Sequence, residues 1–177
     1  MIHPKSQAIA APEVLPATTI ENLIRFATST KHDRALREFS EHYRCNPELV
    51  PFLVRHAKKQ IRKFGWVCFD LAWAAALMEL PTPGGPDFKL CARLKAWYVR
   101  AILYSHPRLN GRFELRKAAP DEAFGMSICE TKSPDDYGRR LQWADGSPLS
   151  KLHPALRAGV KPVRSVQAQG ELFTEAA

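Results

Sequence analysis

The chain has 177 residues, of which 45% are hydrophobic and 25% charged, and its formal charge is +8. A chain of this size removes roughly 70% of its unfolded surface from water, so neither disulfides nor a structural metal is required for folding and stapled miniproteins are excluded. The longest apolar stretch, 66–80, holds Asp70 and Glu79 and is shorter than the roughly 18 residues of a spanning helix; the Pro-containing start lacks the shape of a secretory signal, so a cytoplasmic protein without a membrane segment is expected.

Residues 1–17, rich in Ala and Pro, read as a flexible arm before a helical core domain over 18–117. Thr18 and Glu21 have capping-box spacing and predict a helix over 19–28. The next segment, 32–44, places Ala35, Leu36, Phe39 and Tyr43 on one side and predicts a second helix. Asn46, Pro47 and Glu48 then mark a stop and restart: Asn46 is expected to accept from the free amides of the following helix, with Pro47 at its first position.

That third helix, over 48–64, is the most informative. Advancing about 100° per residue, Val50, Leu53, Val54, Ala57, Ile61 and Phe64 fall along one line and form the expected buried face. Arg55, Lys58, Lys59, Arg62 and Lys63 fall on the other side at i, i+3, i+4, i+7, i+8, and no acidic residue interrupts them. Like charges so spaced repel by about 0.2–0.5 kcal/mol per pair, a cost that phosphates would offset. Against this stands the plain reading of a solvated face whose cations favour the helix C-terminus. Gly65 is the expected left-handed cap.

Residues 66–80 are apolar nearly all round and are expected to be the buried central helix of a mainly α, compact bundle. This segment carries no groove-reading set, which excludes a helix-turn-helix formed with 48–64. Prolines and glycines over 81–86 predict a loop. Alternation at Phe88 and Leu90, and at Phe113 and Leu115, predicts a small two-stranded β element (88–90, 112–116) around a helix over 92–105. That helix is expected to bury Leu94, Trp97, Tyr98 and Ala101, with Arg93 and Arg100 outside. Asn110-Gly111 is a turn signal, and Arg112, Arg116 and Lys117 follow it. Residues 118–177 hold scattered prolines and read as a largely irregular tail, from which Leu141 and Trp143 return to the core.

Charge is concentrated: residues 31–65 carry +5, residues 66–90 carry −2 and residues 91–117 carry +6. Such concentration points to a polyanionic partner. The four cysteines form no C-x-x-C pair and read as reduced, buried thiols. The sequence has no H-E-x-x-H, Gly-rich phosphate loop or G-x-S-x-G. His32 and His42 read as surface histidines, and Asp135 and Asp136 with Glu130 lack a rigid support for a metal. No enzyme, metal or cofactor is therefore expected.

Two resemblances add to this. Asn46-Pro47-x-x-Val50, Leu53, Ala57, Lys63-x-Gly65, Phe88-x-Leu90, Tyr98-x-Arg100-x-Ile102, Pro107-x-Leu109-x-Gly111 and Phe113-Glu114-x-Arg116, within about residues 39–116, resemble a group of small phage, prophage and bacterial proteins of unknown function. The resemblance implies a mobile-element setting and no mechanism. The chain departs from that group at Cys91-Ala92, where its members have an Asn-rich turn, and at Ala74, Ala75 and Ala76, where they carry Glu and Arg. Gln169-Gly170-Glu171-Leu172-Phe173 resembles the peptide by which bacterial replication and repair proteins dock on the sliding clamp, with Gly170 in place of the usual Leu. In that resemblance Gln169, Leu172 and Phe173 are the docking residues, with two adjacent apolar side chains filling a preformed pocket.

The expected function is non-catalytic binding of DNA or another polyanion, weakly dependent on sequence. Arg55, Lys58, Lys59, Arg62 and Lys63 are expected to contact phosphates, assisted by Arg93, Arg100, Arg112, Arg116 and Lys117, and the terminal peptide to act as a tether to the sliding clamp. The competing expectation is an inhibitor or adaptor whose basic surface meets an acidic host protein.

Overall fold

The computed structural model describes residues 19–27, 31–80 and 92–158. The expected arm over 1–17, the 88–90 piece and the terminal peptide lie outside the described residues. The protein is mainly helical, with α1 (Ile20–Arg25), α2 (Asp33–Cys45), α3 (Leu49–Phe64), α4 (Phe69–Glu79), α5 (Lys95–Ser105), α6 (Ala119–Ala123) and α7 (Pro154–Arg157). Strands β1 (Met126–Ile128) and β2 (Leu141–Trp143) pair antiparallel, with Ser127 opposite Gln142. Among the described residues no helix is long and apolar enough to cross a membrane.

Local chemistry explains most boundaries. The hydroxyl of Thr19 accepts from the Asn22 amide at the start of α1, so the cap is Thr19 rather than Thr18. Asn46 does not cap α3 with its side chain as expected: its amide Nδ2 donates to the His42 carbonyl at 2.6 Å and closes α2. The Leu49 amide is taken by the Asn46 backbone carbonyl instead. Pro51 sits in the first turn of α3, where its missing N–H would have no helical acceptor. Gly65, at φ 80°, ends α3 in the left-handed region.

The centre of the bundle is α5, not the 66–80 segment. Every residue from Trp97 to Tyr104 is buried, and α5 packs against α1, α3 and α6. The aromatic cluster of Phe39, Trp97, Tyr98 and Phe124 forms around it, with Phe39 5.2 Å from Tyr98 and 5.6 Å from Trp97 between ring centroids. By contrast α4 buries only Ala72, Trp73 and Ala76, while Leu71, Leu77 and Met78 are 62%, 54% and 87% exposed. Four of the nine apolar residues of α4 are alanines, which have little surface to hide, so the side that packs inward through Ala72, Trp73 and Ala76 leaves Leu71, Leu77 and Met78 outside. Apparent hydrophobicity does not fix depth when the side chains are small. The polar marks on α5 mislead in the opposite sense, because Arg100 is buried with its own counter-ion.

The sheet also forms elsewhere than expected. Phe113 makes an isolated parallel bridge with Val67, while the two-stranded sheet comes from 126–128 and 141–143. The region after 118 is accordingly not an irregular tail throughout: Ala123, Phe124, Leu141, Trp143 and Leu149 belong to the same core as α1 to α5. Asn110 fastens it, since its side chain donates to the Leu141 carbonyl at 2.6 Å and accepts from the Leu141 amide at 2.8 Å. Two such bonds imitate a strand pairing, so the turn after α5 aligns β2. Burial of large side chains such as Trp143 and Phe124 stabilises this region by about 1.5–3 kcal/mol each.

Candidate nucleic-acid interface

On α3, Arg55, Lys58, Lys59, Arg62 and Lys63 are all exposed. The helix contains no acidic residue, and none of the five joins an ion pair among the described residues. The stripe is roughly 12 Å long at a rise of 1.5 Å per residue. Its orientation follows from the opposite face, where Leu49, Val50, Leu53, Val54 and Ala57 are buried. Phe64, expected on that buried face, is 55% exposed, because it is the last residue of the helix; the Lys63 ammonium lies over its ring at 5.1 Å. Glu79 approaches the helix at His56, 3.8 Å away.

The assisting cations divide into four groups. Arg112 joins the stripe: its guanidinium donates to the Gly65 carbonyl at the end of α3, at 3.3 Å. Burial lowers the pKa of His106, and the positive Lys58 adds to this, so the turn after α5 also borders the stripe. Arg108, exposed in that turn, belongs to this basic surface and was not among the expected residues. Arg93 faces α2 instead, where it donates to Glu38 at 2.6 Å.

Arg100 is a correction. Its guanidinium donates to both carboxylate oxygens of Asp121, at 2.6 and 3.0 Å, and to the Arg116 carbonyl at 2.6 Å. With 3% exposure it cannot reach a phosphate. Its period along α5 resembled that of a surface residue because sequence spacing carries no information about a counter-ion 21 positions away.

Arg116 lines two cavities, and Lys117 lines the second of them. One, of about 340 Å³, includes Trp66, Asp70, Phe113, Glu114, Arg116 and Tyr137 in its lining. The other, of about 650 Å³, includes Arg116, Lys117, Asp121, Glu122, Ser127 and Arg139. Acidic groups are present here, yet Asp70 is engaged by Lys95 at 2.5 Å and Glu114 lies 3.9 Å from Arg116. In the lining of the first cavity, Trp66 and Tyr137 stack with centroids 4.8 Å apart and planes 12° from parallel. Lys132 lies over the Tyr137 ring at 5.7 Å. Sequence signals for this pair are weak, since Trp66 opens an apolar run and Tyr137 is a lone aromatic between prolines and charges.

Asp136 is buried and bonded to Arg140 at 2.6 Å, and Cys45 is exposed, contrary to the expected buried thiol. The expected docking residues Gln169, Leu172 and Phe173 lie outside the described residues. Comparison with protein-family models, curated proteins and solved structures found no match.

Proposed function

We propose that the chain is a non-catalytic, weakly sequence-dependent DNA-binding protein of phage or mobile-element type. The observation that carries this reading is the set of five exposed α3 cations, none of them in an ion pair among the described residues, on a helix without an acidic residue. Lysine and arginine arrayed along one helix face contact phosphates, which position a protein on nucleic acid without reading its sequence. Arg108 and Arg112 extend the same surface at its C-terminal end. In this reading the terminal peptide, with Gln169, Leu172 and Phe173, tethers the protein to the replication sliding clamp and raises its local concentration.

A gel-shift series against salt tests the reading. Wild type is expected to shift DNA at low salt and to lose affinity steeply as salt rises. The variant Lys58→Glu, Lys59→Glu, Arg62→Glu, Lys63→Glu is expected to give no shift. A wild type that shifts nothing at low salt removes the DNA reading. The exposed apolar face of α4, with Leu71, Leu77 and Met78, favours a second reading, an adaptor or inhibitor that engages an acidic protein; the same series separates the two. A clamp pull-down comparing wild type with Leu172→Ala plus Phe173→Ala decides the tether, and equal recovery discards it.

A further inference from the structure

We infer that the nucleic acid is single-stranded and that one of its unpaired bases stacks on the Trp66–Tyr137 pair; the inference rests on the phosphate-binding reading of α3 and names its ligand. The chain has four tryptophans. Trp73, Trp97 and Trp143 are 2%, 3% and 0% exposed, whereas Trp66 is half-buried and its partner Tyr137 is 39% exposed. Neither the Tyr137 hydroxyl nor the Trp66 indole N–H has a hydrogen-bond partner among the described residues. The rings spend one face each on one another and Lys132 lies over Tyr137, yet the pair stays partly open to solvent.

The platform is held rigidly from both sides. Below Trp66, Gln60 donates to the Cys68 carbonyl at 3.2 Å and accepts from the Cys68 amide at 2.7 Å, and Val67 donates to the Arg112 carbonyl at 2.9 Å. Beside Tyr137, the Gly138 amide donates to the Gly111 carbonyl at 2.9 Å. A Cβ on Gly138 would land on the Phe113 carbonyl oxygen, so glycine is what lets the 136–138 loop lie flat on 111–114. Preorganised support of this kind is what a binding site needs.

Charge surrounds the rings. Lys63 is three residues from Trp66, hence within about 11 Å between Cα atoms. Arg112 reaches the intervening Gly65 carbonyl, and Arg116, Lys132 and Arg139 line the adjoining cavities. Opposing charges lie nearby: Glu114 is answered by Arg116, Asp70 by Lys95 and Asp136 by Arg140, while Asp135 is exposed. A cationic track leading to stacked aromatics matches the chemistry of a single strand, whose bases offer free π-faces; a duplex keeps those faces inside its own stack.

Trp66 supplies its own reporter, because it alone among the tryptophans reaches the surface. The test is a fluorescence titration of the full chain with oligo(dT) and oligo(rU) of about 15 nucleotides, an abasic strand of equal length and a duplex of equal length. Oligo(dT) or oligo(rU) should quench the emission, while the abasic strand should not. Trp66→Phe should abolish the quench. Tyr137→Ala, and Tyr137→Leu as the variant that keeps an apolar cover on Trp66, should weaken single-strand binding about tenfold and leave duplex binding unchanged. Unchanged single-strand affinity in both Tyr137 variants, a quench surviving in Trp66→Phe, or an equal quench by the abasic strand overturns the inference. The fourfold Glu variant of α3 separates the two layers: if it binds single strands like wild type while the Tyr137 variants do not, the stripe reading fails and the stacking stands. Absence of all binding at low salt overturns both.

Discussion

Arg100 Nε lies 2.6 Å from Asp121 Oδ1, and both side chains are almost fully enclosed, at 4% and 6% exposure. Asp121 also accepts from the Ala118 amide at 2.8 Å, and Arg100 donates to the Arg116 carbonyl. One ion pair therefore holds α5, the 114–118 segment and α6 in register. Removing one partner leaves a buried charge without compensation, so Asp121→Ala is expected to cost about 3–5 kcal/mol. Replacing both, as Arg100→Met with Asp121→Leu, is expected to recover most of that loss. Urea unfolding of the two variants checks this, and equal losses would show that geometry rather than charge dominates.

The exchange of roles between α4 and α5 has a direct test. Leu103 is fully buried and Leu77 is 54% exposed, although both lie in apolar helical runs. Leu103→Ala is expected to destabilise by about 2–5 kcal/mol, and Leu77→Ala by no more than about 0.5 kcal/mol. Thermal unfolding of each variant provides the comparison.

These two helices also show where the sequence was legible. Periodicity located α2, α3 and the α3 stripe because large apolar side chains alternated with charges at helical spacing. It failed for α4, where alanine conceals which side is inside, and for α5, where Arg100 marks a solvent face that does not exist. The 119–149 region was obscured by its prolines, because its order comes from long-range partners such as Asn110 with Leu141 and Tyr104 with Trp143. Trp66 and Tyr137 lie 71 positions apart, and no local pattern joins them.

Stability should fall on mild acidification. Burial lowers the pKa of His153 from its ordinary 6.5; a hydrogen bond to the Phe124 backbone opposes this and Arg157 adds to it. Burial likewise lowers His42, against the pull of Glu38. The folded protein thus resists protonation that the unfolded chain accepts near 6.5. Above that pH both states are neutral at these rings and nothing is lost; below it the unfolded state binds more protons, and stability declines until the folded values are passed. Urea midpoints at about pH 7.5 and pH 5.5 measure the loss, which His153→Gln should reduce.

Salt dependence counts the phosphate contacts. Each neutralised phosphate contributes a slope of about −0.9 for duplex DNA and −0.7 for single strands in log K against log salt. Neutralising two stripe cations, as Lys58→Gln with Arg62→Gln, should therefore flatten the slope by about 1.5. A variant with lower affinity and an unchanged slope would place the lost contacts elsewhere.

Gly138 is expected to be intolerant. Its Cβ position is occupied by the Phe113 carbonyl, and Gly138→Ala must push the 136–138 loop off 111–114, at a cost of about 1–3 kcal/mol. Loss of the Trp66–Tyr137 stack should accompany it, seen as altered Trp66 emission in the unliganded protein.

The all-round burial of α5 governs how this chain can come into being. Its cover is recruited from both directions along the sequence, with α1 and α3 made earlier and Phe124 and Trp143 made later. A nascent polypeptide that has emerged only to residue 118 displays Trp97 and Tyr104 half-clothed and Arg100 without its carboxylate. Assembly is accordingly a late, cooperative event in translation, and a product cut short before Trp143 is a sticky client for chaperones rather than a smaller working protein.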